Sequence, residues 1–128
     1  MKKNIIKVLA VIPGLLMLLN AIGFMTNPEQ TANDLHMTLL DGLGRSTQIG
    51  DMTSFFMGTA ILIFVGVIHF KGRWLYAGAL FLGGAALFRS MAAVMHGADW
   101  AIQYIIIEIV LTIWLCATAY AMDKHAEK

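Results

Sequence analysis

The chain has 128 residues, of which 59% are hydrophobic and 13% are charged, and its mean hydropathy is +0.72. Soluble domains contain about half apolar and about a quarter charged residues, so this composition excludes that class and indicates an integral membrane protein. The net charge of +1 is uninformative about nucleic acid, but the sequence has no basic patch of the kind that a phosphate backbone would need. We therefore expect no nucleic-acid partner and membrane lipid as the surroundings.

The hydropathy pattern predicts four transmembrane helices in one domain, residues 1–128. The predicted ranges are 5–25, 52–70, 74–95 and 100–122, each close to the ~20 residues that a bilayer core requires. Lys2 and Lys3 precede the first range, but its apolar stretch is longer than that of a secretory signal, so we expect a retained helix. The predicted fold is all-α, an integral membrane four-helix bundle.

The basic residues predict the orientation. Seven of the nine fall on one side of a four-pass topology: Lys2, Lys3, Lys7, Lys71, Arg73, Lys124 and Lys128. Because cytoplasmic loops are enriched in Lys and Arg, we expect this side, with both termini, to face the cytoplasm of a bacterial inner membrane. The first loop and the turn after His96 are then expected on the outer side.

The first outer loop carries signals for a short helix. Asn27 is a candidate N-cap, Pro28 suits the first helical position, and Gln30 lies three residues after the cap. These signals predict a helix over residues 28–40 that ends at the glycines of residues 41–44. It either dips into the membrane interface or covers the bundle as a lid.

Two further polar residues lie near the outer ends of the predicted helices. Asp51 is well placed to cap the second helix, and it shares a face with Ser54 and Gly58, which predicts close helix packing and an inward-facing carboxylate. Asn20, near the end of the first helix, either hydrogen-bonds across helices or lies at the membrane interface.

The third and fourth helices each contain one interior charge. Arg89 lies about 10 Å below the His96 turn and Glu108 about 12 Å below it, at about 1.5 Å per residue. An isolated charge inside a bilayer costs about 2.5–3.5 kcal/mol, so we expect these two residues to contact each other.

Polar residues concentrate in the outer half of the predicted bundle, whereas a path for protons or ions would need them at every depth. This distribution favours a pocket open to the outside over a channel. The candidate ligand-binding or buried polar cluster consists of Asn20, Asp51, Ser54, Arg89, His96, Gln103 and Glu108.

No nucleophile elbow, phosphate loop or Cys/His cluster is present, so we predict no catalytic residue and no cofactor. Thioether and imidazole groups suit Cu(I), which gives periplasmic-side copper handling as an alternative. The residues concerned are Met25, Met37, Met52, Met91, Met95, His36 and His96. With no Met-x-x-Met run and no His pair at helical spacing, we predict no metal site. Cys116 is read as a packing residue.

Several short motifs follow one another along the chain: Gly50-Asp51 followed by Phe55-Phe56-x-Gly58, then Gly84 with Arg89 and Gly97, then Glu108 before an apolar run. On these residues the chain resembles a small bacterial four-helix membrane-protein family catalogued as a domain of unknown function. The resemblance implies that the family's Asp, Arg and Glu correspond to Asp51, Arg89 and Glu108. The chain departs from the family pattern after Asp51, where a glycine-rich run is usual.

Two classes of function remain open. The first is a non-enzymatic binding or accessory protein, whose pocket holds a small polar or amphipathic ligand or which joins a larger membrane complex or a homo-oligomer. The second is a membrane-embedded enzyme or proton-coupled transporter that uses Glu108 as proton acceptor. The absence of a nucleophile and of a metal triad favours the first class.

Overall fold

The computed structural model describes residues 1–126, and every regular element in them is a helix. The elements are α1 (Lys2–Thr26), α2 (Pro28–Asp34), α3 (Gly42–His69), α4 (Gly72–His96) and α5 (Ile102–Ala126). The predicted all-α bundle with a short helix in the first long connection is therefore confirmed. Each of the four long helices extends beyond its predicted range at one end or both, because helical geometry continues past the apolar core of each segment. However, α3 ends at His69 instead of residue 70, and α5 begins at Ile102 instead of residue 100.

The four long helices form a closed ring in which each is antiparallel to its neighbours. Along α1 and α3, Gly14 packs near Ile63 whereas Phe24 stacks on Phe56 with a centroid distance of 6.1 Å. Helix α4 packs on α3 and α5, and α5 closes the ring through the Trp114 indole, which donates to Leu9 O at 2.9 Å. The short α3–α4 and α4–α5 connections favour this up-down order, whereas the longer connection from α1 to α3 contains α2.

The two ends of the bundle are named here by their connections. The Phe70 end holds the α3–α4 turn, where Phe70 has the left-handed conformation (φ 51°), together with the start of α1 and the end of α5. The His96 end holds the α4–α5 connection and α2, which packs on the end of α1.

Helices α1, α3, α4 and α5 are each long and apolar enough to cross a membrane. Large apolar side chains cover their outward surfaces; Leu19, Ile68 and Leu80 are 66%, 71% and 73% exposed. The interior holds Phe24, Ile63, Leu75, Leu82, Leu115 and Met122, all nearly inaccessible. An apolar outside as well as an apolar inside is typical of a multi-pass membrane protein.

Three sequence predictions at the His96 end are wrong. Helix α3 begins at Gly42 instead of near residue 52, because Arg45 and Gln48 hydrogen-bond to Leu40 and fold this stretch into the helix. Asp51 therefore lies within α3 and is exposed, so it neither caps the helix nor faces the interior. Helix α2 ends at Asp34, well short of residue 40, and His36 adopts a left-handed conformation (φ 55°).

Candidate functional site

Arg89 on α4 and Glu108 on α5 form an ion pair in the His96 half of the bundle. The Arg89 Nε donates to Glu108 Oε1 at 2.9 Å. Glu108 is 8% exposed as a residue, whereas the Arg89 side chain is 38% exposed. The contact predicted from the matched depths of the two residues is therefore present, and the carboxylate is its buried partner.

The second carboxylate oxygen of Glu108 is left without a donor. Oε2 is buried and has no hydrogen-bond partner among residues 1–126; in that range Thr53 Oγ1 is in the same situation. The nearby Thr112 hydroxyl does not help, because it donates to the backbone carbonyl of Glu108 at 2.6 Å. An unpaired buried acceptor costs about 1–3 kcal/mol, so this oxygen is a place where a ligand's donor would be stabilising.

Tyr104, one helical turn before Glu108, connects the ion pair to the loop after α2. Its ring lies over the Arg89 guanidinium, with 5.3 Å between Cζ and the ring centroid. Its hydroxyl donates to Asp34 O at 3.1 Å and also hydrogen-bonds His36 Nδ1. Because that single hydroxyl proton goes to Asp34 O, His36 Nδ1 is the donor in the second bond.

Tyr104 is not among the site residues predicted from the sequence, although it lies on the same helix face as Glu108. The four-residue spacing between them was the available signal, since residues at that spacing are neighbours on a helix. Nothing in the sequence indicates that Tyr104 contacts Asp34 and His36, because these contacts depend on where α2 ends.

Two cavities meet at Arg89. The first, called the polar cleft, measures about 730 Å³ and lies between the start of α5 and residues 35–37. Its polar lining residues are His36, Arg89, Asp99, Gln103 and Tyr104. The second, called the Glu108 pocket, measures about 380 Å³ and lies between α3 and α4; apart from the ion pair, its lining is apolar: Met52, Phe55, Phe56, Ala85, Phe88 and Ala92.

The remaining predicted site residues are dispersed. Gln103 lines the polar cleft, whereas Ser54 is exposed and lines a more distant part of the α3–α4 surface. Asn20 donates to Leu16 O of its own helix at 2.9 Å, so the expected bond across helices is not made. His96, the last residue of α4, is exposed, as is Asp51. The structure thus brings together Arg89, Gln103 and Glu108 of the seven.

The site offers two kinds of hydrogen bonding. Glu108 Oε2 can accept a hydrogen bond or a proton, and the exposed part of the Arg89 guanidinium can donate to an anion. No group of three or more His, Cys, Asp or Glu side chains is close enough to hold a metal ion within residues 1–126.

Comparison of the chain with protein-family models, with curated proteins and with solved structures finds no match.

Proposed function

We propose that the protein is a non-enzymatic binding protein whose Arg89–Glu108 site holds a small polar or amphipathic ligand. The observation that carries this proposal is Glu108 Oε2, a buried acceptor with no donor among residues 1–126. The Glu108 pocket gives a ligand room beside the carboxylate, and the polar cleft on the other side of Arg89 gives a polar group access to the guanidinium.

The polarity of the interior favours a binding site over a membrane-crossing path. In the described part of the chain, the buried polar residues are Glu108, Thr59 and Thr118. The hydroxyls of Thr59 and Thr118 donate to the carbonyls of Phe55 and Trp114 in their own helices. Neither threonine can take and release a proton at neutral pH, so a relay from Glu108 to the Phe70 end has no buried titratable group to use.

We place the protein in a bacterial inner membrane with both termini cytoplasmic and the polar cleft open to the outer side. In support, Lys3 and Lys7 lie over the Phe70 ring, at 5.6 and 5.9 Å, on the same end as Lys71 and Arg73. Basic residues at one end follow the rule for cytoplasmic loops. A topology reporter inserted after Gly44 should behave as periplasmic; cytoplasmic behaviour would reject this orientation.

The binding proposal is tested by purification in mild detergent followed by mass spectrometry of whatever accompanies the protein. The expected result is a bound small molecule that is present with wild type and depleted with Glu108→Ala. Asp41→Ala, which breaks the exposed Arg45–Asp41 pair but keeps the Arg45 bond to Leu40 O, is the matched control and should retain the molecule. A stoichiometric protein partner without a small molecule would instead favour an accessory subunit of a larger complex.

The same unpartnered oxygen also favours a second candidate, in which Glu108 accepts a proton in a membrane-embedded enzyme or transporter. Proteoliposomes with an internal pH dye distinguish the two. Proton uptake that Glu108→Gln abolishes would support this second candidate, whereas no uptake together with a retained ligand supports binding alone. We also propose that the chain belongs to the small bacterial four-helix membrane-protein family that it resembles. Because that family is catalogued as a domain of unknown function, the resemblance does not identify a reaction.

A further inference from the structure

The Glu108 pocket continues along the surface between α3 and α4 as one apolar groove. Phe55, Ala85 and Phe88 line both the Glu108 pocket and an adjoining cavity of about 400 Å³. Phe55 and Phe81 in turn line that cavity and a further one of about 630 Å³. Because neighbouring cavities share walls, they form a single channel-like surface, called here the apolar groove. From Phe81 to Arg89 it follows α4 for about 12 Å.

The apolar groove opens sideways from the bundle. At Gly58 on α3 and Gly84 on α4, no heavy atom lies within 4 Å of where a Cβ would stand, so the two helices do not close over this region. Phe81 and Phe88 are 51% and 63% exposed along its edge. In a membrane, this side faces hydrocarbon. The charged residues that line the apolar groove, Arg89 and Glu108, lie at one end of it, and the hydroxyl residues Ser54 and Thr59 line the cavity at the other end.

We infer that the site binds a hydroxyl-headed lipid, whose hydroxyl donates to Glu108 Oε2 and whose hydrocarbon chain lies in the apolar groove. This inference rests on the proposed binding function and specifies its ligand class. The ion pair is neutral as a unit, so a neutral donor leaves its charges balanced. A carboxylate head group would be repelled by Glu108, and an ammonium head group would compete with Arg89 for the carboxylate.

The head group is tested with three probes that share one chain: 1-oleoylglycerol, methyl oleate and oleic acid. The protein is placed in phosphatidylcholine nanodiscs, because that lipid carries no hydrogen-bond donor, and retained probes are counted by native mass spectrometry. Oleoylglycerol should be retained about tenfold better than methyl oleate, as expected for one hydrogen bond to a charged group. Equal retention of these two probes, or preferential retention of oleic acid, would overturn the inference.

Two variants test the carboxylate and the groove separately. In Glu108→Gln, the amide would present a donor that an ester can satisfy, so the preference for oleoylglycerol over methyl oleate should fall severalfold. Ala85→Phe fills the groove and should reduce retention of oleoylglycerol, whereas the matched Ala117→Phe, on the exposed side of α5, should not. Retention unchanged in Ala85→Phe would overturn the placement of the chain.

The probe comparison uses wild-type protein, so it stays decisive where a variant fails to fold. Its failure is also distinguishable from failure of the proposed function. A water-soluble molecule that accompanies the purified wild type, combined with no preference among the lipid probes, would leave the binding function standing and reject the lipid. Absence of any bound molecule, in purification and in the probe experiment, would reject both.

Discussion

The Phe70 end and the His96 end of the bundle use their carboxylates at the α4–α5 contact differently. At the Phe70 end, Asp123 Oδ1 accepts a hydrogen bond at 3.0 Å from the backbone N–H of Gly72, in the first turn of α4. At the His96 end, Glu108 pairs one oxygen with Arg89 and leaves the other without a partner among residues 1–126. The Asp123 carboxylate thus accepts a hydrogen bond from the first turn of α4, whereas the Glu108 carboxylate has one oxygen without a donor beside the Glu108 pocket.

The surroundings of the glycines on α3 and α4 differ between the two ends as well. Towards the Phe70 end, a Cβ on Gly66 or Gly78 would contact Leu75 or Ile63 of the facing helix, so the glycines permit close packing there. Towards the His96 end, Gly58 and Gly84 have open space around them. The difference teaches that small residues allow helices to approach but do not draw them together. Between α3 and α4, the tightly packed region thus lies towards the Phe70 end, and the open region beside the Arg89–Glu108 site lies towards the His96 end.

The largest expected effect is at the ion pair. Arg89→Leu leaves the buried Glu108 carboxylate uncompensated and should lower the free energy of unfolding by about 3–5 kcal/mol. Glu108→Leu should cost less, about 1–3 kcal/mol, because the partly exposed guanidinium can turn towards the polar cleft. The measurement is equilibrium unfolding in mixed detergent micelles.

The double variant sharpens this prediction. Replacing both residues should recover much of the loss, with a coupling of about 0.5–3 kcal/mol. Asp41→Ala is the control, because it breaks the exposed Arg45–Asp41 pair, which is worth about 1 kcal/mol or less, and keeps the Arg45 bond to Leu40 O. Additive effects at Arg89 and Glu108 would contradict a direct energetic link between them.

The next largest effect is expected at the Phe70 end. In Gly72→Ala, the new Cβ would collide with the Ala119 carbonyl and with both Asp123 carboxylate oxygens. Because a backbone carbonyl cannot move aside cheaply, this overpacking should cost about 1–3 kcal/mol. Thermal unfolding followed by circular dichroism measures it. Gly50→Ala, at an α3 position with no neighbour within 4 Å, is the matched control and should not destabilise the protein. Equal behaviour of the two variants would refute close packing at this end.

Two kinds of structural feature could be predicted from the sequence: those that follow from hydropathy, and those that follow from the depth of a charged residue within its helix. Four apolar ranges predicted the four long helices, and equal distance from one turn predicted the Arg89–Glu108 contact. The position of Asp51 was not predictable in this way, because the start of α3 depends on Arg45 and Gln48 reaching back to residues 38–41. The Glu108 pocket could not be predicted from the sequence either, because it depends on how the side chains of α3 and α4, among them Phe55 and Phe88, pack around it.

A smaller effect is expected at the link between the ion pair and α2. Tyr104→Phe keeps the ring over Arg89 but removes the hydroxyl that bonds Asp34 O and His36. These exposed hydrogen bonds should contribute about 1 kcal/mol or less to global stability. The clearer readout is hydrogen exchange of residues 28–37, which should accelerate while exchange in α4 and α5 stays unchanged.

Tyr120→Phe is the control, because Tyr120 lies exposed towards the other end of α5. Accelerated exchange in that control as well would mean that the detergent environment, and not the contact with α2, sets the dynamics of the loop. Unaltered exchange in Tyr104→Phe would show that α2 is held by its packing on α1 alone.

The smallest effect is expected where α3 and α4 are open. Gly58→Ala and Gly84→Ala place a methyl group in empty space within helix interiors, so each should leave stability unchanged or raise it by up to about 1 kcal/mol, the usual advantage of Ala over Gly in a helix. Gly66→Ala, in the same α3 but against Leu75 and Trp74, is the matched comparison and should destabilise. Melting temperatures of the three variants in one detergent measure this contrast. A marked loss of stability at Gly58 or Gly84 would contradict an open surface, and cross-linking at that face would then test whether a second copy of the chain packs there.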